Sequence, residues 1–237
     1  MAPKYKRKKQ AQNKSNSKGN SKQIYIIIGV LAIVAIIIAG AYFIGGFNAN
    51  NDDKEMTTPT TAPNPTPATE NTKVLLQTSM GDITIQLFDN KPITTQNFLK
   101  LVALGKYDNT VFHRVLQDFM IQGGVLNKNG ALIDNNWATI KDEIGSYNHN
   151  YQYTIAMAKT NDPNSATTSF FINAEDNSEI VYTSGDRFDD IYTAFGKVIE
   201  GQDVVDAISK VQVTKNSQGE TSQPTQTITL ISAKIIS

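Results

Sequence analysis

Between residues 73 and 88 apolar and polar side chains alternate: Ile83, Ile85 and Leu87 are separated by Thr84 and Gln86, and Gly81 interrupts the run. A period of two puts successive side chains on opposite faces, so "VLLQTSMGDITIQLF" predicts two strands joined at Gly81 into a β-hairpin. The period then changes. Phe98, Leu101, Val102 and Leu104 recur at helical spacing after Pro92 and Thr94, with Gly105 as the stop. Strand-like runs follow at "TVFHRV", "FMIQGG", "YTIAMA", "SFFINA", "YTAFGKV" and "QTITLISAKII", with one more helical stretch at residues 203–209. Seven or eight antiparallel strands and two helices predict a mainly β domain, a closed β-barrel with helices over its ends. No internal repeat and no glycine-rich phosphate loop accompanies them.

The first 72 residues follow other patterns. Residues 24–46, "IYIIIGVLAIVAIIIAGAYFIGG", carry no charged side chain. At 1.5 Å per residue, about 20 helical residues cross a hydrocarbon core of about 30 Å, so this run predicts a single-pass transmembrane anchor. The small residues Ala39, Gly40 and Ala41 make a cleaved signal peptide the competing reading, although such apolar regions usually run only about 7–15 residues. Residues 1–23 hold eight basic side chains and no acid. The positive-inside rule keeps that tail cytoplasmic and sends everything after residue 46 across the membrane. A topology signal is the plainer reading of the tail, and no nucleic-acid partner is expected. The chain's 22 basic and 22 acidic residues therefore conceal an asymmetry, with 14 basic against 22 acidic residues beyond the tail. Residues 47–72 set Pro59, Pro63, Pro65 and Pro67 among threonines, asparagines and acids. With little to bury, this stretch predicts a disordered, partly polyproline-like linker. The expected organisation is a basic cytoplasmic tail (1–23), an anchor (24–46), a linker (47–72) and an extracytoplasmic domain (73–237) at the cell membrane.

Composition narrows the chemistry. There is no cysteine, which excludes disulfides and thiolate-bound metals, and only His113 and His149 could supply imidazole, so neither metal nor cofactor is expected. The candidate chemistry lies in "FHRVLQDFMIQGG", residues 112–124. If residues 112–115 form one strand, Phe112 and Arg114 share a face and His113 takes the other. After a turn at Gln117 and Asp118, Met120 and Gln122 share a face in a second strand. The product is a patch of one fixed cation, one amide and several apolar groups, or else an ordinary edge hairpin whose arginine is merely solvated.

That stretch, followed in order by "AMAKTNDPNSATTSFFIN" and "AFGKVIEGQDVVDAI", resembles the cyclophilin-type peptidyl-prolyl cis-trans isomerases over residues 73–237. The resemblance implies an eight-stranded antiparallel barrel capped by two helices, a substrate groove on its outer face, and proline-containing polypeptides as substrates. The chemistry suits the residues. An X-Pro bond isomerises slowly because amide resonance sets a barrier of about 20 kcal/mol. Twisting the bond removes that resonance and localises a lone pair on the prolyl nitrogen. A catalyst needs an apolar slot for the ring, a donor near that nitrogen and polar contacts to the flanking peptide. A guanidinium, always charged and with fixed N–H groups, suits the donor role.

By resemblance Arg114 is that donor, and Phe119, Met120 and Phe171 line the slot. Gln122 and Ala158 hold the substrate backbone, and Ile180 and Tyr192 close the apolar side. Phe112 and His113 pack beneath, and His149 is a loop residue. The sequence also departs from the family. Ser169 stands where a glutamine is usual, and one polar contact is expected to be lost or passed to water. Ala158-Lys159-Thr160 replaces Ala-Asn-Ala. The rim aromatic falls on Glu179 by ungapped counting, or on Ile180 or Tyr182 if an insertion intervenes, so weak ciclosporin binding is expected. "VLNKNGALIDNNWATIKDEI" replaces a glycine-rich loop. The implied function is a monomeric prolyl isomerase that assists exported proteins at the outer face of the membrane. A proline-peptide-binding chaperone or assembly factor with little turnover is the alternative, and a purely structural module is disfavoured by the joint presence of Arg114, Phe119, Gln122 and Phe171.

Overall fold

The computed structural model describes residues 67–69, 72–134 and 136–236. The alternating run forms β1 (Lys73–Thr78) and β2 (Gly81–Leu87), paired antiparallel with Thr78 opposite Gly81. Gly81 adopts φ of 133°, and a Cβ there would meet Val204 at 2.7 Å, so glycine is required both by the turn and by the packing beside it. Helix α1 (Pro92–Ala103) starts with proline in its first turn, where the missing N–H costs nothing. It stops at Gly105, whose φ of 64° lets its N–H reach the Val102 carbonyl.

Nine further strands and a second helix complete the domain. These are β3 (Thr110–Val111), β4 (Arg114–Leu116), β5 (Met120–Gly123), β6 (Thr154–Met157), β7 (Phe170–Asn173), β8 (Ala194–Glu200), α2 (Gln202–Ser209), the hairpin of β9 (Val213–Lys215) and β10 (Thr221–Pro224), and β11 (Thr229–Ile236). The main sheet runs β3-β11-β1-β2-β8-β6-β7-β5-β4, antiparallel at every step for which the register is known. Its inner face buries Leu76, Ile83, Ile85, Val115, Ile121, Ile155 and Ile172, and α1 and α2 close the core through Phe98, Leu101, Val205 and Ile208. Phe98 sits among Tyr107, Phe170 and Phe195 with ring centroids 5.1 to 5.8 Å apart.

Two features correct the sequence-based expectation. The sheet has nine strands and curls as a half-barrel; it does not close, because β3 and β4 at its two ends are two and three residues long and do not pair. The run "TVFHRV" is also two strands, not one. The chain breaks at Phe112 and His113, where Phe112 N donates to the Ile228 carbonyl (2.9 Å) and its ring enters the core. Phe112 and Arg114 therefore do not share a face. The β9–β10 hairpin was not anticipated at all.

The second half of the replaced loop after Gly124 is pinned to α1 at two points. Trp137 Nε1 donates to Asn97 on α1 (2.8 Å), and the Glu143 carboxylate accepts from Ile93 N, Thr94 N and Thr94 Oγ1 at 2.7 to 3.1 Å. An anion thus satisfies the free N–H groups at the start of α1. The basic tail, the apolar span and most of the linker lie outside the described residues. At the linker's end, Thr72 O accepts from Leu87 N (2.9 Å), so the domain's hydrogen bonding extends one residue before β1. Among the described residues no helix is long and apolar enough to cross a membrane.

Candidate functional site

Strands β4 and β5 turn at Gln117–Phe119, where Asp118 takes φ of 56°, a conformation its short polar side chain tolerates. The pairing sets Arg114 opposite Gln122 and Leu116 opposite Met120. Gln122 in turn lies opposite Phe171 on β7, and Phe171 opposite Ala156 on β6. One ladder row thus carries cation, amide, aromatic ring and a small alanine across four strands of the outer face. The alternate residues Val115 and Ile121 enter the core, which locks the register because a one-residue slip would turn the arginine into that apolar core.

The apolar members of this face form a second cluster, separate from the core, centred on Phe188 in a 3-10 turn (Phe188–Asp190). Its ring centroid lies 4.7 Å from Tyr192, 5.6 Å from Phe119 and 5.8 Å from Phe171. The turn is held from behind. Asn148 Nδ2 and Asn150 Nδ2 donate to the Tyr192 carbonyl at 2.9 and 3.1 Å, and Asp189 accepts from Asn150 N (2.7 Å) and contacts His149 Nδ1 (3.0 Å). His149, expected as a loop residue, stacks on Tyr151 beside that carboxylate.

An open, shallow cleft lies over the cluster. Arg114 and Gln122 line one side, and Phe119, Met120, Phe171 and Tyr192 supply the apolar surface, with Ala158 at one end. Seven of the eight residues proposed from sequence meet here. Ile180 does not line the cleft; it packs in the same cluster behind it. Ala158 N donates to the Ser169 carbonyl (2.9 Å), continuing the β6–β7 pairing past the named strands.

Sequence reasoning missed Phe188 as a lining residue and noted Lys159 only as a departure within the backbone-binding segment. Counting from flanking motifs to Tyr192 passed over Phe188, although an aromatic in an acidic segment, "DRFDDIY", was a usable sign of a buried anchor. Lys159 is buried and is neutralised by the partly buried Asp142, 3.2 Å away. Ser169 is buried too, and its hydroxyl donates to the Gly123 carbonyl (3.0 Å) while receiving a long bond from Gln122 Nε2 (3.4 Å). Glu179 faces solvent 3.7 Å from Arg187 and does not line the cleft.

The electrostatics favour fixed donors over titrating groups. The Arg114 side chain is only 3 % exposed. Its Nε and Nη2 donate to the two carboxylate oxygens of Glu220 at 2.8 and 2.7 Å, and Nη1 donates to Gln122 Oε1 at 3.2 Å. Neighbouring His113 is driven down to about 4, first by burial and then by the Arg114 charge, so it is neutral at physiological pH. Burial raises the phenols of Tyr182 and Tyr192, which stay protonated. No carboxylate, cysteine or histidine lines the cleft, and among the described residues no three acidic or histidine side chains gather as a metal site. Such a surface can bind, orient and donate hydrogen bonds; it offers no nucleophile of its own.

Comparison with known proteins points the same way. Residues 73–235 match the family model described as cyclophilin type peptidyl-prolyl cis-trans isomerase/CLD. The chain is 46 % identical over 164 residues to a peptidyl-prolyl cis-trans isomerase of Streptomyces antibioticus, covering 69 % of this chain and 98 % of that one. It is 42 % identical over 139 residues to peptidyl-prolyl cis-trans isomerase B of Escherichia coli, covering 58 % and 84 %. A crystal structure of a cyclophilin type isomerase from Cryptosporidium parvum superposes with a TM-score of 0.54 at 25 % identity, over 70 % of this chain and 97 % of the other.

Proposed function

The chain belongs to the cyclophilin-type peptidyl-prolyl cis-trans isomerases, and from that premise we propose that its cleft twists X-Pro amides with Arg114 as the donor. The proline ring enters the slot of Phe119, Met120 and Phe171, floored by Phe188 and bounded by Tyr192 with Ile180 behind. Gln122 and the main chain at Ala158 hold the residues flanking the proline, so that one side of the amide is fixed while the other rotates. As resonance is lost, the nitrogen lone pair becomes an acceptor, and an Arg114 N–H stabilises it in the transition state more than in the planar ground state. The observation that carries this reading is a buried, oriented guanidinium at the wall of a mostly apolar cleft. The test is acceleration of cis-to-trans exchange in a short X-Pro peptide by the purified full-length chain. Peptide binding without acceleration would favour the chaperone reading instead.

The setting is part of the same proposal. The basic tail, the uncharged span and the proline-rich linker support a monomeric enzyme held on the outer face of the cell membrane, acting on newly exported chains. Protease added to intact cells should release the domain by cutting within residues 47–72. A domain protected until lysis would reverse the orientation, and a mature chain beginning after residue 40 would replace the anchor with a cleaved signal.

A further inference from the structure

The isomerase reading assigns no role to the β9–β10 hairpin, yet that hairpin supplies the strongest contact made by Arg114. Glu220 meets the guanidinium side-on, each carboxylate oxygen taking one N–H, at Nε and Nη2. This is the bidentate geometry in which charge and direction act together. The backbone that carries this carboxylate is itself held firmly. Asn216 Oδ1 accepts from Gln218 N (2.9 Å) and Glu220 N (3.0 Å), Asn216 N donates to Glu220 O (2.8 Å), and Gly219 at φ of 83° completes the tight turn. Asn216 Nδ2 also donates to Ser222 Oγ (3.2 Å). The tip carrying Glu220 is therefore set by its own hydrogen bonds, whatever Arg114 does.

Resting on the isomerase reading, we infer that Glu220 is a positioning residue that fixes the Arg114 guanidinium for amide twisting. A guanidinium carries five N–H groups. Glu220 occupies two and Gln122 one, which leaves one N–H on Nη1 and one on Nη2 for the cleft that Arg114 lines. Gln122 alone could not set this orientation. It makes a single bond of 3.2 Å to Nη1, about which the guanidinium could pivot, and its own anchor to Ser169 is long at 3.4 Å. The carboxylate also neutralises the arginine. The site therefore acts through aimed N–H groups and exerts little net positive field, so the contribution of Glu220 falls on turnover and hardly on substrate capture.

The test uses the full-length chain in detergent and a short X-Pro peptide. Glu220→Ala should lower kcat by about 10- to 100-fold with KM changed by less than about threefold, and Glu220→Gln, which keeps one acceptor, should lose less. A double-mutant cycle separates positioning from general stability: in an Arg114→Lys background, Glu220→Ala should reduce kcat by less than about twofold further. Wild-type turnover in Glu220→Ala, effects that multiply in the double mutant, or a KM that rises as far as kcat falls would each overturn the inference while leaving the isomerase reading intact. A wild-type chain with no turnover would overturn both.

Discussion

Replacing Arg114 by lysine separates chemistry from stability more cleanly than replacing it by alanine. Alanine would leave Glu220, 14 % exposed, without the cation it now faces, and removing one partner of a buried pair costs about 3–5 kcal/mol, less where water reaches the survivor. Lysine keeps the charge beside Glu220. What it loses is the charge-assisted hydrogen bond to Gln122, worth about 1.5–3 kcal/mol, together with the fork that sets direction. The fold should therefore lose about 2 kcal/mol, less than with alanine. Turnover should suffer far more, because a single ammonium drawn toward Glu220 presents no N–H at the prolyl nitrogen. Loss of one preorganised donor costs about 2.7–4 kcal/mol, or about 10²- to 10³-fold in kcat. The assay is cis-to-trans exchange of a short peptide near 10 °C, where the uncatalysed reaction takes minutes. Peptide affinity should move less than about threefold. A folded Arg114→Lys protein with full turnover would refute the donor role, and equal losses of affinity and rate would make Arg114 a binding residue.

Phe188→Ala should lower stability by about 3–5 kcal/mol, because the ring is fully buried at the centre of the groove cluster, and should raise KM more than it lowers kcat; denaturation and steady-state kinetics report the two. Ciclosporin should bind weakly, and Glu179→Trp should leave its affinity within about twofold because that side chain faces solvent outside the cleft; tightening by about 1 kcal/mol or more would put the position at the rim. His113, ordinarily near 6.5 and here about 4, takes up its proton more readily in the unfolded chain, so stability is full above about pH 6.5 and falls by up to about 3 kcal/mol as pH drops toward 4. Chemical denaturation at pH 7 and pH 5 should show that slope, and His113→Gln should flatten it.

The parts of the fold legible in the sequence are those with local periodicity. The β1–β2 hairpin needed only alternation and Gly81, and α1 only its spacing with Pro92 and Gly105; the turn at Gln117–Asp118 suggested that Arg114 and Gln122 share a patch, but it is the three-residue turn 117–119 that sets them directly opposite. The break at Phe112 and His113 was hidden because both halves look like strand; it exists because Ile228, more than a hundred residues away, takes the Phe112 N–H. Phe188 escaped for a related reason. It reaches the groove through a 3-10 turn whose position depends on Asn148 and Asn150, not on any pattern of its own. Glu220 carried no signal: an acid after a turn glycine is an ordinary solvated residue until the hairpin folds against β4.

The short strands at the two ends of the main sheet bear on the company this protein is proposed to keep. An enzyme working among chains that have not yet folded is surrounded by extended backbone in search of partners, and a long exposed edge would recruit them as added strands, seeding aggregates. With ends of two and three residues, and with β10 lying alongside β4, the described domain offers little length on which such pairing could grow.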